Sequence, residues 1–172
     1  MLGEPGPDDA QLQQIFAAAV RAPDHGALRP WRFFVIRGEA RQRLSELFVD
    51  GLKRREPSAS ETQIEKEREK PLRAPLTIAV AAKIIAGHKI PEIEQVLSAG
   101  AAAMNILNAL HALGFGAKWI TGANCYDNEL KKSFGLNAVD YLIGFIQAGT
   151  PTARPQSVQR PDPAQYVVEW GA

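Results

Sequence analysis

The sequence predicts one α/β or α+β domain, a mixed sheet carrying helices on its faces. Three observations predict it. Short β-branched or apolar runs at residues 33–36, 76–84, 116–121 and 141–148 alternate with stretches whose apolar residues recur at helical spacing. A chain of 172 residues, 45% hydrophobic and 23% charged, has the size and composition of a single soluble domain with a sizeable core. The resulting order is helix, strand, helix, helix, strand, long helix, strand, short helix, strand, with no internal repeat, as in a sheet covered by helices.

Residues 1–7 are rich in Gly and Pro and read as an extended lead-in. Asp8 with Gln11 forms a capping-box pattern, and Leu12, Ile15, Phe16 and Ala19 make one apolar face of a helix reaching about Arg21. The next residues, Arg21-Ala22-Pro23-Asp24-His25-Gly26-Ala27-Leu28-Arg29-Pro30-Trp31, read as a functional loop between rigid elements. Pro23 discourages helix at Ala22, Gly26 permits unusual backbone angles, and Pro30 keeps Arg29 extended. The strand at 33–36 turns at Arg37-Gly38 into a helix over 39–54, with Leu44, Leu47, Phe48 and Leu52 as its buried stripe.

Residues 53–70 interleave acids and bases, with Ser60 and Gln63 as a second capping box, and read as a solvated helix or a mobile lid. Pro71 and Pro75 precede the buried strand at 76–84, and 87–91 is a loop. The longest helix, 92–113, is closed by Gly114; its small residues leave it smooth nearly all round, as in a central helix or one shared with a second subunit. A strand at 116–121, a short helix at 127–134 and a strand at 141–148 follow. The last twenty-odd residues form a Pro-rich arm carrying Tyr166, Val167, Val168 and Trp170, an apolar strip that needs something to lie on; a neighbouring subunit is the natural candidate.

Several function classes are disfavoured. A net charge of +1 argues against a dedicated nucleic-acid binder. The lone Cys125 cannot form an internal disulfide, and no basic-then-apolar leader is present at the N-terminus. The small-apolar stretch over 99–113 is interrupted by Asn105, Asn108 and His111 and is too short to span a membrane, so a soluble cytoplasmic protein is expected. No Gly-x-Gly-x-x-Gly follows a strand, and no phosphate loop ending in Gly-Lys-Ser/Thr occurs. His25, His88 and His111 lie far apart, so no zinc site is expected. His25 suits either a general base paired with Asp24 or another acid, or a loop-stabilising imidazole. Nothing near Cys125 would lower its thiol pKa. Arg21 and Arg29 could hold a phosphate or be solvated, and Trp31 and Trp119 suit core packing or a cofactor contact.

The order of these features resolves what single residues leave open. The run Arg-Ala-Pro-Asp-His-x-x-x-x-Pro-Trp-x-Phe-Phe-Val-Ile resembles the segment after the first long helix in the FMN-dependent nitroreductase family, closest to its small-subunit branch. Leu72-Arg73-Ala74-Pro75, His88-Lys89-Ile90-Pro91, the stretch Gly114-Phe115-Gly116-Ala117-Lys118-Trp119 and Gly149-Thr150-Pro151 are similar to that branch in the same order. The resemblance covers nearly the whole chain. It implies a nitroreductase-like fold with a mainly antiparallel central sheet, one domain over residues 1–172 with an extended arm from about 150, and a homodimer with FMN sites at the subunit interface. By position, Arg21 and His25 match flavin-nucleotide contacts, Trp119, Ile120 and Thr121 match a strand-end triplet on the cofactor, and Arg154 matches a phosphate contact. NADH or NADPH would be the electron donor and a nitroaromatic, a quinone or a similar electrophile the acceptor, with no catalytic side chain required and neither nucleic acid nor membrane as partner. Three departures accompany the match: the chain starts just downstream of the usual Arg-Arg-Ser run, Arg29 replaces a Gln, and Ile120 stands where close relatives carry Arg. They leave open a cofactor-poor dimer with a binding or structural role.

Overall fold

Long-range pairing sets where the strands begin and end in this computed structural model, which describes residues 2–153 and 159–171. The helices start where short-range chemistry says they should. Asp8 accepts the Gln11 N–H at 2.8 Å while the Gln11 side chain accepts the Asp8 N–H at 2.9 Å, opening α1 (Asp9–Ala19). Ser60 and Gln63 repeat the arrangement at the start of α3 (Glu61–Glu69). Between them α2 spans Ala40–Arg55; α4 (Glu92–Ala112) and α5 (Asn128–Ser133, capped by Asp127) come later.

The strands are β1 (Leu2–Gly3), β2 (Trp31–Arg37), β3 (Leu76–Ala82), β4 (Gly116–Ile120) and β5 (Tyr141–Pro151). The last of them in sequence is the hub. Phe145 and Ile146 of β5 face Ala79 and Ile78 of β3 on one side, and Ile120 and Trp119 of β4 on the other. Beyond β3 lies β2, with Trp31 opposite Ala82 and Arg37 opposite Leu76. At the far end of β5, Thr150 and Pro151 pair with Gly3 and Leu2. The expected mainly antiparallel sheet is present, and among the described residues every pairing is antiparallel.

Helices cover both faces. On one, Leu12, Ile15 and Ala19 of α1 and Ala103, Ile106 and Leu110 of α4 pack on Ile78, Val80 and Ile146. On the other, Leu44 and Phe48 of α2 and Leu130 of α5 pack on Ala79, Ala81 and Phe145. All seven residues of β3 are buried, because it lies between two strands and two helical layers. The outer face of α4 leaves Ile93, Leu97 and Met104 exposed at 61%, 63% and 51%, so the helix is only half covered within one chain.

Four expectations need correcting. Residues 2–3 form a strand, because β5 runs on to Pro151 to meet them. The buried strand stops at Ala82: the Lys83 N–H turns to the Pro30 carbonyl and the Ile84 N–H to Asp140, both at 2.8 Å. Arg29 is not extended but has φ +50°, because Asp24 curls the loop by accepting the N–H groups of Leu28 (3.2 Å) and Arg29 (2.7 Å). Residues 53–70 are not wholly solvated, since Ile64 and Glu67 are buried against α2 and the cavity described below.

Candidate functional site

Strand β4 lies at a sheet edge, and its period of two sends Lys118 and Ile120 to one face and Trp119 to the other. On the Lys118 side the chain leaves a cavity of about 390 Å³, within the range of small-molecule sites. Ile120 and Thr121 form part of its lining, with Gly122, Ala123, Asn124 and Cys125 continuing from the strand end. Phe48 and Leu52 of α2 and Phe145 of β5 supply an apolar wall. Arg55, Lys70, Arg73 and Lys118 supply cations, against Glu56 and Glu67. Gln147 holds the covering segment in place by donating from its side chain to the Lys70 carbonyl.

Polar groups at this cavity are partly ordered and partly unmatched. Glu67, buried at 7% exposure, takes the Lys70 ammonium on one oxygen at 2.5 Å and the Asn124 amide N–H on the other at 2.6 Å. The Asn124 Oδ1 is buried without a hydrogen-bond partner, as is the Trp119 indole Nε1 on the other face of the strand. Such orphans are uncommon in a finished core. Cys125 also lines the cavity, but burial pushes its thiol pKa up to about 11, which keeps it protonated at neutral pH and unsuited to nucleophilic work.

Trp119 occupies the opposite face, packed against the α1–α4 layer. It does so over Gly144, whose φ of +152° and missing side chain leave room for the indole. Thr121 is exposed at the strand end.

The other predicted residues lie elsewhere. Arg21 and His25 are exposed on the loop between α1 and β2. His25 Nδ1 lies 2.7 Å from Glu94 Oε2 of α4, so its acid partner is Glu94 and not Asp24. Gly26 takes φ +70°, where a side chain is strained, and a Cβ there would run into the Ile90 Cδ1. A second hollow, of about 540 Å³, opens beside Asp24, Arg29 and Trp31. Arg21 and His25 precede β2, and β2 is separated from β4 by β3 and β5, three strand spacings or about 14 Å between the strands. One chain therefore brings Ile120 and Thr121 together in a cavity but does not bring Arg21 and His25 to it. Arg154 lies outside the described residues.

The short segment around the cavity depends on Asp127. Its largely buried carboxylate caps α5 through the Leu130 N–H at 2.8 Å and takes Arg54 on both oxygens, at 2.8 and 3.3 Å, with Arg55 at 3.6 Å. Burial pushes the Asp127 pKa up, but the Arg54 and Leu130 hydrogen bonds and the two guanidinium charges outweigh it and hold it below the ordinary 3.8. A carboxylate with a depressed folded pKa adds stability above its unfolded value and loses it as pH falls through the folded one. Asp127→Asn, which keeps the cap, is expected to cost about 1–3 kcal/mol at pH 7. The difference from wild type should shrink toward zero in urea unfolding as pH drops below the ordinary carboxylate range; an undiminished gap in acid would remove the charge as its cause.

A three-layer α/β/α domain with a small-molecule cavity at its edge strand is the arrangement of an enzyme or binding fold. Residues 2–150 match the description "Nitroreductase family", and the chain belongs to that family of oxidoreductases. An Escherichia coli (strain K12) protein named "Putative NAD(P)H nitroreductase YdjA" is 41% identical over 167 residues, covering 96% of this chain and 90% of that protein. A Haemophilus influenzae protein named "Putative NAD(P)H nitroreductase" is 38% identical over 152 residues, covering 87% and 80%. Among solved structures, a nitroreductase-like family protein from Bacillus cereus superposes with a TM-score of 0.84 at 18% identity, covering 98% and 88%, a likeness of fold. One from Desulfovibrio desulfuricans, described as a "putative nitroreductase in complex with fmn", gives a TM-score of 0.70 at 25% identity, covering 96% and 87%. Among the described residues no helix is long and apolar enough to cross a membrane, and no cluster of three or more His, Cys, Asp or Glu could hold a metal ion.

Sequence reasoning missed Lys118, Lys70, Glu67 and Asn124. The alternation along 117–120 was the available signal for Lys118, since it shares a face with Ile120. For the other three no local signal exists; they meet only once α3 folds back on the sheet.

Proposed function

We propose that this protein is an FMN-dependent NAD(P)H oxidoreductase, a cytoplasmic homodimer that reduces nitroaromatic, quinone or similar electrophilic acceptors. The observation that carries the reading is the cavity at Ile120 and Thr121, where an apolar wall meets a rim of cations. Its donor set suits a planar, polar-edged, anionic cofactor. Phe48 and Phe145 give a ring something to lie against, and the cations of the lining can place positive charge at an electron-rich edge. When bound, the flavin relays two electrons from donor to acceptor. For a nitro group the sum is R–NO2 + NAD(P)H + H⁺ → R–NO + NAD(P)⁺ + H2O; for a quinone it is quinone + NAD(P)H + H⁺ → hydroquinone + NAD(P)⁺. The oxidised nicotinamide leaves before the acceptor enters, a ping-pong order in one site.

Ile120 and Thr121 would form one wall of the flavin site, with Trp119 behind them on the other face of the strand and Arg21, His25 and Arg154 reaching the nucleotide and its phosphate. An Arg fork matches phosphate oxygens, and converging donors strengthen the grip. The separation of these residues within one chain is consistent with a dimer, in which a second copy could bring Arg21 and His25 to the cavity. The exposed apolar stripe Ile93, Leu97, Met104, with open space at Gly100 between them, suits burial against a second copy. The apolar strip Tyr166 to Trp170, 72–97% exposed at its large side chains, suits an arm that lies on the partner.

The test is an FMN titration of the purified protein, then anaerobic addition of NADPH or NADH while flavin absorbance is followed. Saturable binding with bleaching supports the reading, and absence of binding would favour a cofactor-poor dimer. Arg21→Ala is expected to raise the FMN dissociation constant by about tenfold or more. Unchanged affinity would remove Arg21 from the site.

A further inference from the structure

We infer that the cavity at the β4 edge favours acceptors bearing a negative charge, such as nitroaromatic or quinone carboxylates and sulfonates, and that Lys118 reads that charge. The inference rests on the cavity being the reductive site and adds the substrate class to it.

Four cations line the cavity, and they are not equivalent. Arg55 is held by Asp127 at 3.6 Å, Lys70 by Glu67 at 2.5 Å and Arg73 by Glu69 at 3.5 Å. Among the described residues no acid pairs with Lys118. Of the two carboxylates in the lining, Glu67 is engaged on both oxygens and Glu56 accepts from the Gln63 amide at 3.1 Å. Cations outnumber carboxylates four to two in the lining, and Lys118 is the one that has no acid partner among the described residues. Strand geometry puts it on the same face as Ile120, at the exposed rim of the apolar wall. With the flavin against that wall, an aromatic acceptor lying over the flavin would extend an anionic substituent to the ammonium at the rim. A positive rim also raises the local concentration of anions, an effect that salt screens.

The experiment compares 4-nitrobenzoate with its neutral isostere 4-nitrobenzamide on the FMN-loaded protein at saturating donor. Taking the ratio of kcat/KM values cancels their shared chemistry. Lys118→Gln is expected to lower that ratio roughly five- to tenfold, the usual size of one partly exposed charge-assisted contact, and Lys118→Glu to lower it further. Raising the salt concentration should lower the wild-type ratio as well. In parallel, calorimetry measures benzoate against benzamide binding to the same proteins, a readout that needs no turnover; tighter benzoate binding that Lys118→Glu abolishes is the expected result. A ratio and a benzoate preference untouched by either variant would overturn the inference. So would a Lys118→Gln protein that loses FMN tenfold while keeping its preference for the charged acceptor, because the ammonium would then serve the cofactor. If 4-nitrobenzamide is still reduced in those cases, the oxidoreductase reading stands and only the charge selection falls.

Discussion

Gly144→Ala is expected to cost about 3 kcal/mol or more of folding stability and to loosen the strand end that carries Trp119, Ile120 and Thr121. A Cβ at this position would run into the Trp119 indole nitrogen, lie 2.8 Å from its Cδ1 and sit 2.9 Å from the Ile120 carbonyl oxygen. The indole is packed against the core and cannot swing freely. The carbonyl belongs to β4, whose Ile120 pairs with Phe145 of β5, so moving it breaks the ladder. The φ of +152° adds strain that alanine does not tolerate. The register shift between Val80 and Ala81, opposite this part of β5, shows the neighbouring strand already accommodating the irregularity. Urea unfolding of the variant, read by Trp fluorescence, measures the loss. A change below about 1 kcal/mol would show that the indole relocates easily and that Gly144 does not position it.

Phe145→Ala should be comparably damaging, at about 3–5 kcal/mol. Phe145 is 2% exposed and meets Phe48 edge-on with ring centroids 5.1 Å apart. Phe134 lies on another side at 6.4 Å. Its neighbours come from α2, from the residue following α5 and from two strands, and such a site cannot collapse to fill the hole. The same ring walls the cavity, so truncation would also enlarge the space proposed for the flavin. Phe145→Leu, which keeps most of the volume, should cost roughly 1–1.5 kcal/mol. Thermal or denaturant unfolding of the pair separates the two cases: equal losses would mean that ring shape, not filled volume, sets the stability.

What could be read from the sequence divides by range. Both capping boxes, the β2 run and the β3 run were legible because their causes lie within a few residues: Asp8 and Gln11 bond each other, and a β-branched stretch favours a strand wherever it pairs. The strand at Leu2–Gly3 was not legible, since its partner lies at the other end of the chain and two residues carry no periodicity. Arg29 was misread because the rule for residues before proline is local, whereas Asp24, five residues back, supplied the hydrogen bonds that overrode it. The cavity was half legible. The resemblance singles out Ile120 and Thr121 as cofactor contacts, and both line the cavity. Glu67 and Lys70 were hidden in a run of mixed charge that resembles a solvated face, and only the fold reveals that one side of it is buried.

The position of β5 has a consequence for how the molecule is made. Ribosomes deliver the chain from its N-terminus, yet the strand on which β1, β3 and β4 all depend arrives last. At about 5–20 residues per second, the stretch from Ala82 to Pro151 takes roughly 4–14 s to synthesise. Throughout that interval β3, apolar along its whole length, has β2 on one edge and nothing on the other. A nascent chain thus has a bare, apolar edge on β3 until β5 has been made, and a holding chaperone would act on that species and not on the finished enzyme.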